Sequence, residues 1–377
     1  MPRSDILVPA HILSLRPYEA GLTPDAIRER FKVDRIVKLS SNENPLGVSP
    51  LAIKSAQQEL AQMSRYPDGG LALRRKMAER FSMQVENVIA GSGSEGIMAD
   101  ILRTFLCDDD EVLTTEAAFL GFQVIAHGRG VRYRTVPYAD WHYDLEALAK
   151  AINDRTKLIY LANPNNPTGT IFTRQSFERF YEQVPRRVLI ILDEAYYDYA
   201  MDDPAFPDSL LYRFDNVITL RTFSKAYGLA AARVGYGFAH QDLIAMLLKI
   251  KLPFAPGGPA AAAALGALDD EDFLQRSKEV NTQGRHLLTR AFRDAGCAVP
   301  PSAANFIMSV FETPQQAQHV FGEFLRRGVI VRPLTATGIP NALRISVGTP
   351  DENKFCIAAL NEICARNEEQ QPYATTF

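Results

Sequence analysis

One lysine stands out by its company. The stretch TFSKAYGLAAAR, residues 222–233, puts Lys225 directly after Ser224, three residues after Thr222 and eight before Arg233. A lysine amine forms Schiff bases with carbonyl groups. Small hydroxyls and a planar guanidinium are what a phosphate group needs. Together they describe a site for a phosphorylated aldehyde, of which pyridoxal phosphate is the common example. Without its surroundings the same pattern also describes a surface lysine after a strand.

Other residues of useful types fall where strands end. The apolar run VLIIL at 188–192 stops at Asp193, with Tyr196 just beyond. A carboxylate at the end of a buried strand is costly unless paired, although a helix cap would also use it. The run LIYLA at 158–162 passes into NPNNPTG at 163–169, a stiff loop that holds side-chain amides such as Asn166 in place. Ligand sites of parallel α/β sheets lie at those carboxyl ends. Residues 91–96, GSGSEG, are a literal G-x-G-x-x-G. That motif can mark a dinucleotide fold, but here it follows at least two helices instead of opening the chain. Both readings share one requirement, an anion near glycines and near a helix N-terminus at Ser94. Phe119 and Phe122 follow a strand at 111–115. They serve as core residues or as the wall of a ring site.

The elements that must position these residues alternate. Strands are expected at 36–40, 88–91, 111–115, 131–136, 158–162, 188–192 and 217–220, separated by helices over 50–63, 71–81, from Ser94, 144–152 and 174–183. Alternation of this kind predicts an α/β fold, a mostly parallel sheet with helices on both faces. Thr23 and Pro24 start a short helix in an N-terminal arm. The proline- and glycine-dense segment 252–259 marks a break. Beyond it come a long amphipathic helix over 270–295, strands at 305–310, 329–331 and 343–347, and helices over 315–327 and 352–366. The expected organisation is an arm over 1–35, a large domain over 36–265 and a smaller α+β domain over 266–377, whose tail from 367 reads as loose.

Composition narrows the class. The 377 residues carry a net charge of −3, with 46% hydrophobic and 23% charged residues, ordinary for a globular enzyme of two domains. No basic run suggests nucleic acid or a membrane surface. Cys107, Cys297, Cys356 and Cys364 form no C-x-x-C pair, and the six histidines form no ligand cluster. These features suggest reduced thiols, a cytoplasmic location and no metal site. No stretch reaches membrane-span length.

Taken in order, these motifs resemble the fold-type I pyridoxal-phosphate aminotransferases, over nearly the whole chain. Within that family RPY at 16–18, SNENPLG at 41–47 and LRISVGT at 343–349 are similar to the histidinol-phosphate branch. The resemblance implies transamination between L-histidinol phosphate and 2-oxoglutarate, a step of histidine biosynthesis. Lys225 would hold the cofactor in Schiff-base linkage and then move the proton. Asp193 would keep the ring nitrogen protonated. Asn166 and Tyr196 would hydrogen-bond the ring oxygen, and Phe119 would stack on the ring. The backbone of Ser94 and Glu95, with Thr222, Ser224 and Arg233, would hold the phosphate. Tyr66 would reach a neighbouring subunit's phosphate, which implies a homodimer with shared sites. Tyr18, Asn44, Tyr66, Asn166, Arg332 and Arg344 would line the substrate end. The sequence departs from the family pattern at Ala117 and Ala118, where relatives carry Pro-Thr, and at Ser94, where an aspartate is common.

Four other readings compete. An aromatic amino-acid aminotransferase would share every cofactor residue. A threonine-phosphate decarboxylase on the same scaffold would release carbon dioxide. A non-catalytic cofactor-binding module is opposed by the intact Lys225. A nicotinamide-binding protein rests on the glycine pattern alone.

Overall fold

The computed structural model describes residues 7–15, 22–211 and 215–370. Seven strands form its main sheet: β2 (Val88–Gly91), β3 (Glu111–Thr115), β4 (Arg132–Val136), β7 (Thr156–Ala162), β8 (Leu189–Asp193), β9 (Val217–Thr222) and β10 (Gly235–Phe238), in the order β2-β10-β9-β8-β7-β3-β4. Only β10 runs against its neighbours. The sheet is thus mostly parallel and flanked by helices, as the alternation predicts.

Period-two alternation gives the sheet two covered faces. Leu158, Tyr160 and Ala162 pack with Ile191 and Leu220 against the helices Gly93–Phe105, Leu120–Arg129 and Gln241–Ile250. Ile159 and Leu161 pack with Ile190, Leu192 and Val217 against the helices Leu145–Ala151 and Arg174–Tyr181. Each fully buried leucine or isoleucine here stabilises the fold by about 1.5–3 kcal/mol.

β10 carries no strand signal in sequence because two of its four residues are glycine. The fold requires both: a Cβ on Gly237 would lie 2.7 Å from the Thr219 carbonyl oxygen. A Cβ on Gly235 would lie 2.6 Å from the backbone nitrogen of Ser94 and 3.0 Å from the carbonyl oxygen of Arg221.

The C-terminal part has its own three-stranded antiparallel sheet, β11 (Phe306–Val310), β14 (Ala342–Ser346) and β13 (Arg332–Pro333) in that order. Its Ile307, Leu343 and Ile345 pack with Leu288, Phe292, Phe324 and Leu360 of the covering helices. The helix Glu271–Asp294 is the expected amphipathic one, capped by Asp270. β1 (Val37–Lys38) pairs in parallel with β12 (Val329–Ile330), so the start of the stretch expected in the large domain joins the C-terminal part. A small hairpin, β5 (Tyr138–Ala139) and β6 (His142–Tyr143), has no counterpart among the expected elements. Thr23 accepts a hydrogen bond from the Ala26 N–H and caps the helix Pro24–Phe31, as read. The last helix, Pro350–Gln370, runs further than the expected 352–366 and takes in the start of the tail. Residues 371–377 of that tail lie outside the described residues. Among the described residues no helix is long and apolar enough to cross a membrane.

Candidate active site

Five carboxyl ends of the main sheet's parallel strands converge. β8 delivers Asp193 as its last residue, and β9 ends at Thr222, three residues before Lys225. β7 runs into the Asn166 loop, β3 precedes Phe119, and β2 leads into the helix Gly93–Phe105 at Ser94 and Glu95.

One end of this site is built for an anion. The first turn of Gly93–Phe105 takes no side-chain cap from Ser92, so its leading N–H groups remain unclaimed by that residue. Thr222 Oγ1 donates to Ser224 Oγ at 3.0 Å and accepts from the Ser224 N–H at 3.1 Å. Arg233, in the left-handed region at φ 52°, donates to Ser224 Oγ at 3.4 Å and to Glu95 Oε2 at 2.7 Å. The Glu95 side chain therefore forms with Arg233 the guanidinium–oxyanion pair that a phosphate also forms. A Cβ on Gly93 would come within 3.0 Å of Arg233 Nη2. A Cβ on Gly121 would meet both Phe119 Cζ, at 2.5 Å, and Glu95 Oε1, at 2.7 Å, so the phenyl ring adjoins this end.

At the centre lie a carboxylate and an amine with opposite perturbations. Burial pushes Asp193 up to about 6, against hydrogen bonds from the Tyr160 hydroxyl to Oδ2 (2.6 Å) and from the Ala195 N–H to Oδ1 (3.2 Å). Desolvation lowers the Lys225 amine to about 8, helped by the guanidinium of Arg344 and then that of Arg233. Its Nζ stands 5.7 Å from the centroid of the Tyr196 ring. Perturbed acids and bases gathered at strand ends are the mark of a reacting site.

The other end comes from the small sheet. β13 and β14 pair with Arg332 directly opposite Arg344, which puts both guanidinium stems on one face. Arg344 donates to Asn166 Oδ1 at 2.6 Å and to the Ser40 carbonyl at 2.9 Å.

Comparison with known proteins gives the same answer. Residues 34–360 match the family model described as aminotransferase class I and II. Histidinol-phosphate aminotransferase 2 of Pseudomonas fluorescens is 42% identical over 94% of this chain and 96% of its own length. Histidinol-phosphate aminotransferase of an Anaeromyxobacter strain is 40% identical over 95% and 99%. The crystal structure of histidinol-phosphate aminotransferase from Sinorhizobium meliloti, in complex with pyridoxal-5′-phosphate, superimposes with a TM-score of 0.87 at 30% identity, covering 95% of this chain and 97% of that one. The chain belongs to the class I and II aminotransferase family.

Within this aminotransferase the expected residues divide. Lys225, Asp193, Tyr196, Asn166, Phe119, Ser94, Glu95, Thr222, Ser224, Arg233 and Arg344 gather at the strand ends through the elements and contacts given above, and Arg332 joins them by its register. Tyr66 stands apart, 81% exposed and stacked on Phe254 with ring centroids 4.3 Å apart. Tyr18 lies outside the described residues. Asn44 is buried and bonded to the protein's own groups. Its amide nitrogen donates to the Ala226 carbonyl (2.8 Å) and Ser277 Oγ (2.9 Å), and its oxygen accepts from the Leu46 N–H (3.0 Å). Those bonds make Asn44 a clamp between its turn, the residue after Lys225 and the long helix.

Sequence reasoning missed three groups. Asn42, held at φ 54°, donates to the Tyr196 hydroxyl at 2.9 Å while its own oxygen accepts from Ser346 Oγ at 2.8 Å. Its signal was the asparagine in a turn, where the left-handed region is tolerated. Tyr160 was hidden inside an apolar run. Arg221, 1% exposed, bonds Glu194 at 2.8 Å and lies 3.2 Å from the centroid of the Tyr197 ring. This buried ion pair braces β9 against the segment after β8.

Proposed function

We propose that this chain transfers an amino group from L-histidinol phosphate to 2-oxoglutarate, with pyridoxal 5′-phosphate as cofactor, giving imidazole acetol phosphate and L-glutamate in histidine biosynthesis. The opposition of Arg332 and Arg344 carries the substrate reading. Guanidinium groups bind carboxylate and phosphate in the same bidentate way. One arginine pair can therefore take a glutamate carboxylate in one half-reaction and a substrate phosphate in the other. The names of relatives such as those from Pseudomonas fluorescens and Anaeromyxobacter support the same substrate.

The residues fit this cofactor. An uncapped helix start, two hydroxyls and Arg233 suit its phosphate. Buried Asp193 suits its ring nitrogen, Asn166 and Tyr196 its ring oxygen, Phe119 its ring face, and the lowered amine of Lys225 its aldehyde. When bound, the cofactor supplies an electron-withdrawing ring that stabilises negative charge at the substrate α carbon. Asp193 keeps the ring nitrogen protonated by offering it a carboxylate. Lys225, part of it uncharged near neutral pH, would take the proton from the substrate α carbon and deliver it to the cofactor carbon that bore the aldehyde. Arg332 and Arg344 fix the anionic end, so that the α carbon faces the amine.

The same reading makes the protein a cytoplasmic homodimer, with an arm over 1–35 and domains over 36–265 and 266–377. The exposed aromatic pair Tyr66–Phe254, with Met63 (70% exposed) and Leu252 (65% exposed), forms an apolar face suited to a second copy, whose phosphate site Tyr66 would reach.

The test is the visible spectrum of the cofactor-loaded enzyme with L-histidinol phosphate added and no keto acid. Bleaching of the band is the expected result. Bleaching by phenylalanine alone would move the substrate to aromatic amino acids. No response to either refutes the reading.

A further inference from the structure

Tyr160 lies within β7, fully buried, three residues before the loop that carries Asn166 begins. In the parallel register of β7 and β8, Tyr160 stands opposite Ile191 and Ala162 opposite Asp193. Tyr160 therefore sits on the same sheet face as Asp193, one step below it, and its hydroxyl rises to donate to Oδ2 at 2.6 Å. The ring has little freedom. Phe122 stacks flat against it, with centroids 3.9 Å apart and an angle of 9° between planes. Phe122 belongs to the helix that Phe119 caps, so the same element that offers a wall to the site also pins the phenol. A phenylalanine would fill this volume equally well. What the tyrosine adds is one donor, aimed at the acid.

We propose that Tyr160 is a positioning residue of the aminotransferase site, holding the carboxylate of Asp193 ionised and oriented for the cofactor's ring nitrogen. The proposal rests on the reading that Asp193 pairs with that nitrogen. Several other groups face Asp193: Glu95 from the helix after β2 opposes its ionisation, Lys225 from the loop after β9 favours it, and the phenols of Tyr143 and Tyr196 lie close. None of these is hydrogen-bonded to the carboxylate as Tyr160 is. Burial is the largest influence on Asp193, and the Tyr160 hydroxyl is the first that counters it. A hydrogen bond to a charged group that is lost in a buried site raises a carboxylate by roughly one unit or more.

The experiment measures the dissociation constant of pyridoxal phosphate from the apoenzyme across pH, for the wild type, Tyr160→Phe and Asp193→Asn. In the wild type, affinity falls as Asp193 takes up its proton. In Tyr160→Phe this fall moves to higher pH by roughly one unit, so that affinity drops about fivefold near pH 6 and hardly at all near pH 8. Loss of the same size at every pH would show a merely structural role and overturn the proposal. An unmoved profile would overturn it too, provided Asp193→Asn weakens binding. Unchanged binding in Asp193→Asn would instead remove the underlying reading. Should Tyr160→Phe fail to fold, 3,5-difluorotyrosine at position 160 keeps the shape and strengthens the donor. The acid fall must then move to lower pH, and an unmoved fall refutes the proposal.

Discussion

The amine of Lys225 sets the sharpest expectation. Desolvation first, and the guanidinium of Arg344 next, lower it from the ordinary 10.5 to about 8. At pH 7 an amine titrating at 8 is uncharged about 9% of the time, against about 0.03% at 10.5, a gain of roughly 300-fold in free base. Pulsed acylation of the apoenzyme, with peptides read by mass spectrometry, measures this directly. The exposed Lys150 serves as a control for the reagent. Modification of Lys225 should rise about tenfold per pH unit up to pH 8 and then level off. Arg344→Gln removes the nearby positive charge but leaves the burial, so the midpoint should rise by roughly half to one unit and the rate at pH 7 should fall several-fold. The same shift has a stability consequence. The native state binds fewer protons than the unfolded chain between about pH 8 and pH 10.5, so stability rises with pH through that window. Below it the buried amine costs up to about 3 kcal/mol, and Lys225→Met should return most of that to the apoenzyme in urea unfolding. A wild-type midpoint near 10, or no response to Arg344→Gln, refutes the reasoning.

Two further expectations follow from the geometry. Glu194→Gln strands the guanidinium of Arg221, whose side chain is 1% exposed, and should cost about 3–5 kcal/mol in urea unfolding. A loss below about 1 kcal/mol would mean that Asp208, 3.8 Å away, or Asp198 already satisfies the charge. Subunits carrying Tyr66→Ala mixed with subunits carrying Lys225→Ala should recover up to about a quarter of wild-type activity, because half the dimers then hold one intact shared site. Activity no greater than that of the two parents would show that Tyr66 serves its own subunit or none.

How much was legible depended on where the signal was stored. Asp193 was readable because it interrupts an apolar run with a group that burial penalises unless something uses it, and Asn166 because a stiff proline- and asparagine-rich loop follows such a run. Lys225 was readable because its hydroxyl and arginine neighbours sit on the same loop. Tyr160 was not, since a tyrosine within LIYLA reads as one more large residue, and only the register of β7 with β8 reveals an acceptor for its hydroxyl. β10 failed for the opposite reason. Its glycines look like a turn, yet they are there because Ser94 and the Arg221 carbonyl at Gly235, and the Thr219 carbonyl at Gly237, approach too closely for a Cβ. The partners of Asn44 were not legible either, because an asparagine in a turn carries the same letter whatever its amide bonds, here the Ala226 carbonyl and the Leu46 N–H. Asn42, two residues earlier, held the contact to Tyr196 instead.

The site joins two sheets, and this explains why the reaction class was easier to read than the substrate. Every group at the carboxyl ends of β2, β3, β7, β8 and β9 is placed by one mostly parallel sheet, and local motifs record those ends. The anionic end we propose depends on Arg332 and Arg344, which face one another only because β13 and β14 pair in one antiparallel register. A slip of one residue would turn either arginine toward the helices that cover the far face. No local motif records such a register. Substrate choice can therefore change through the small sheet while the chemistry at Lys225 and Asp193 stays fixed. Arg344 is the link between the two sheets. It reaches Asn166 at 2.6 Å and depresses the amine of Lys225, so the arginine that would receive the substrate's anion also tunes the base that acts on it. An anion bound there offsets the guanidinium charge and raises the amine toward its ordinary range, so anion binding at Arg344 and proton uptake by Lys225 must be linked.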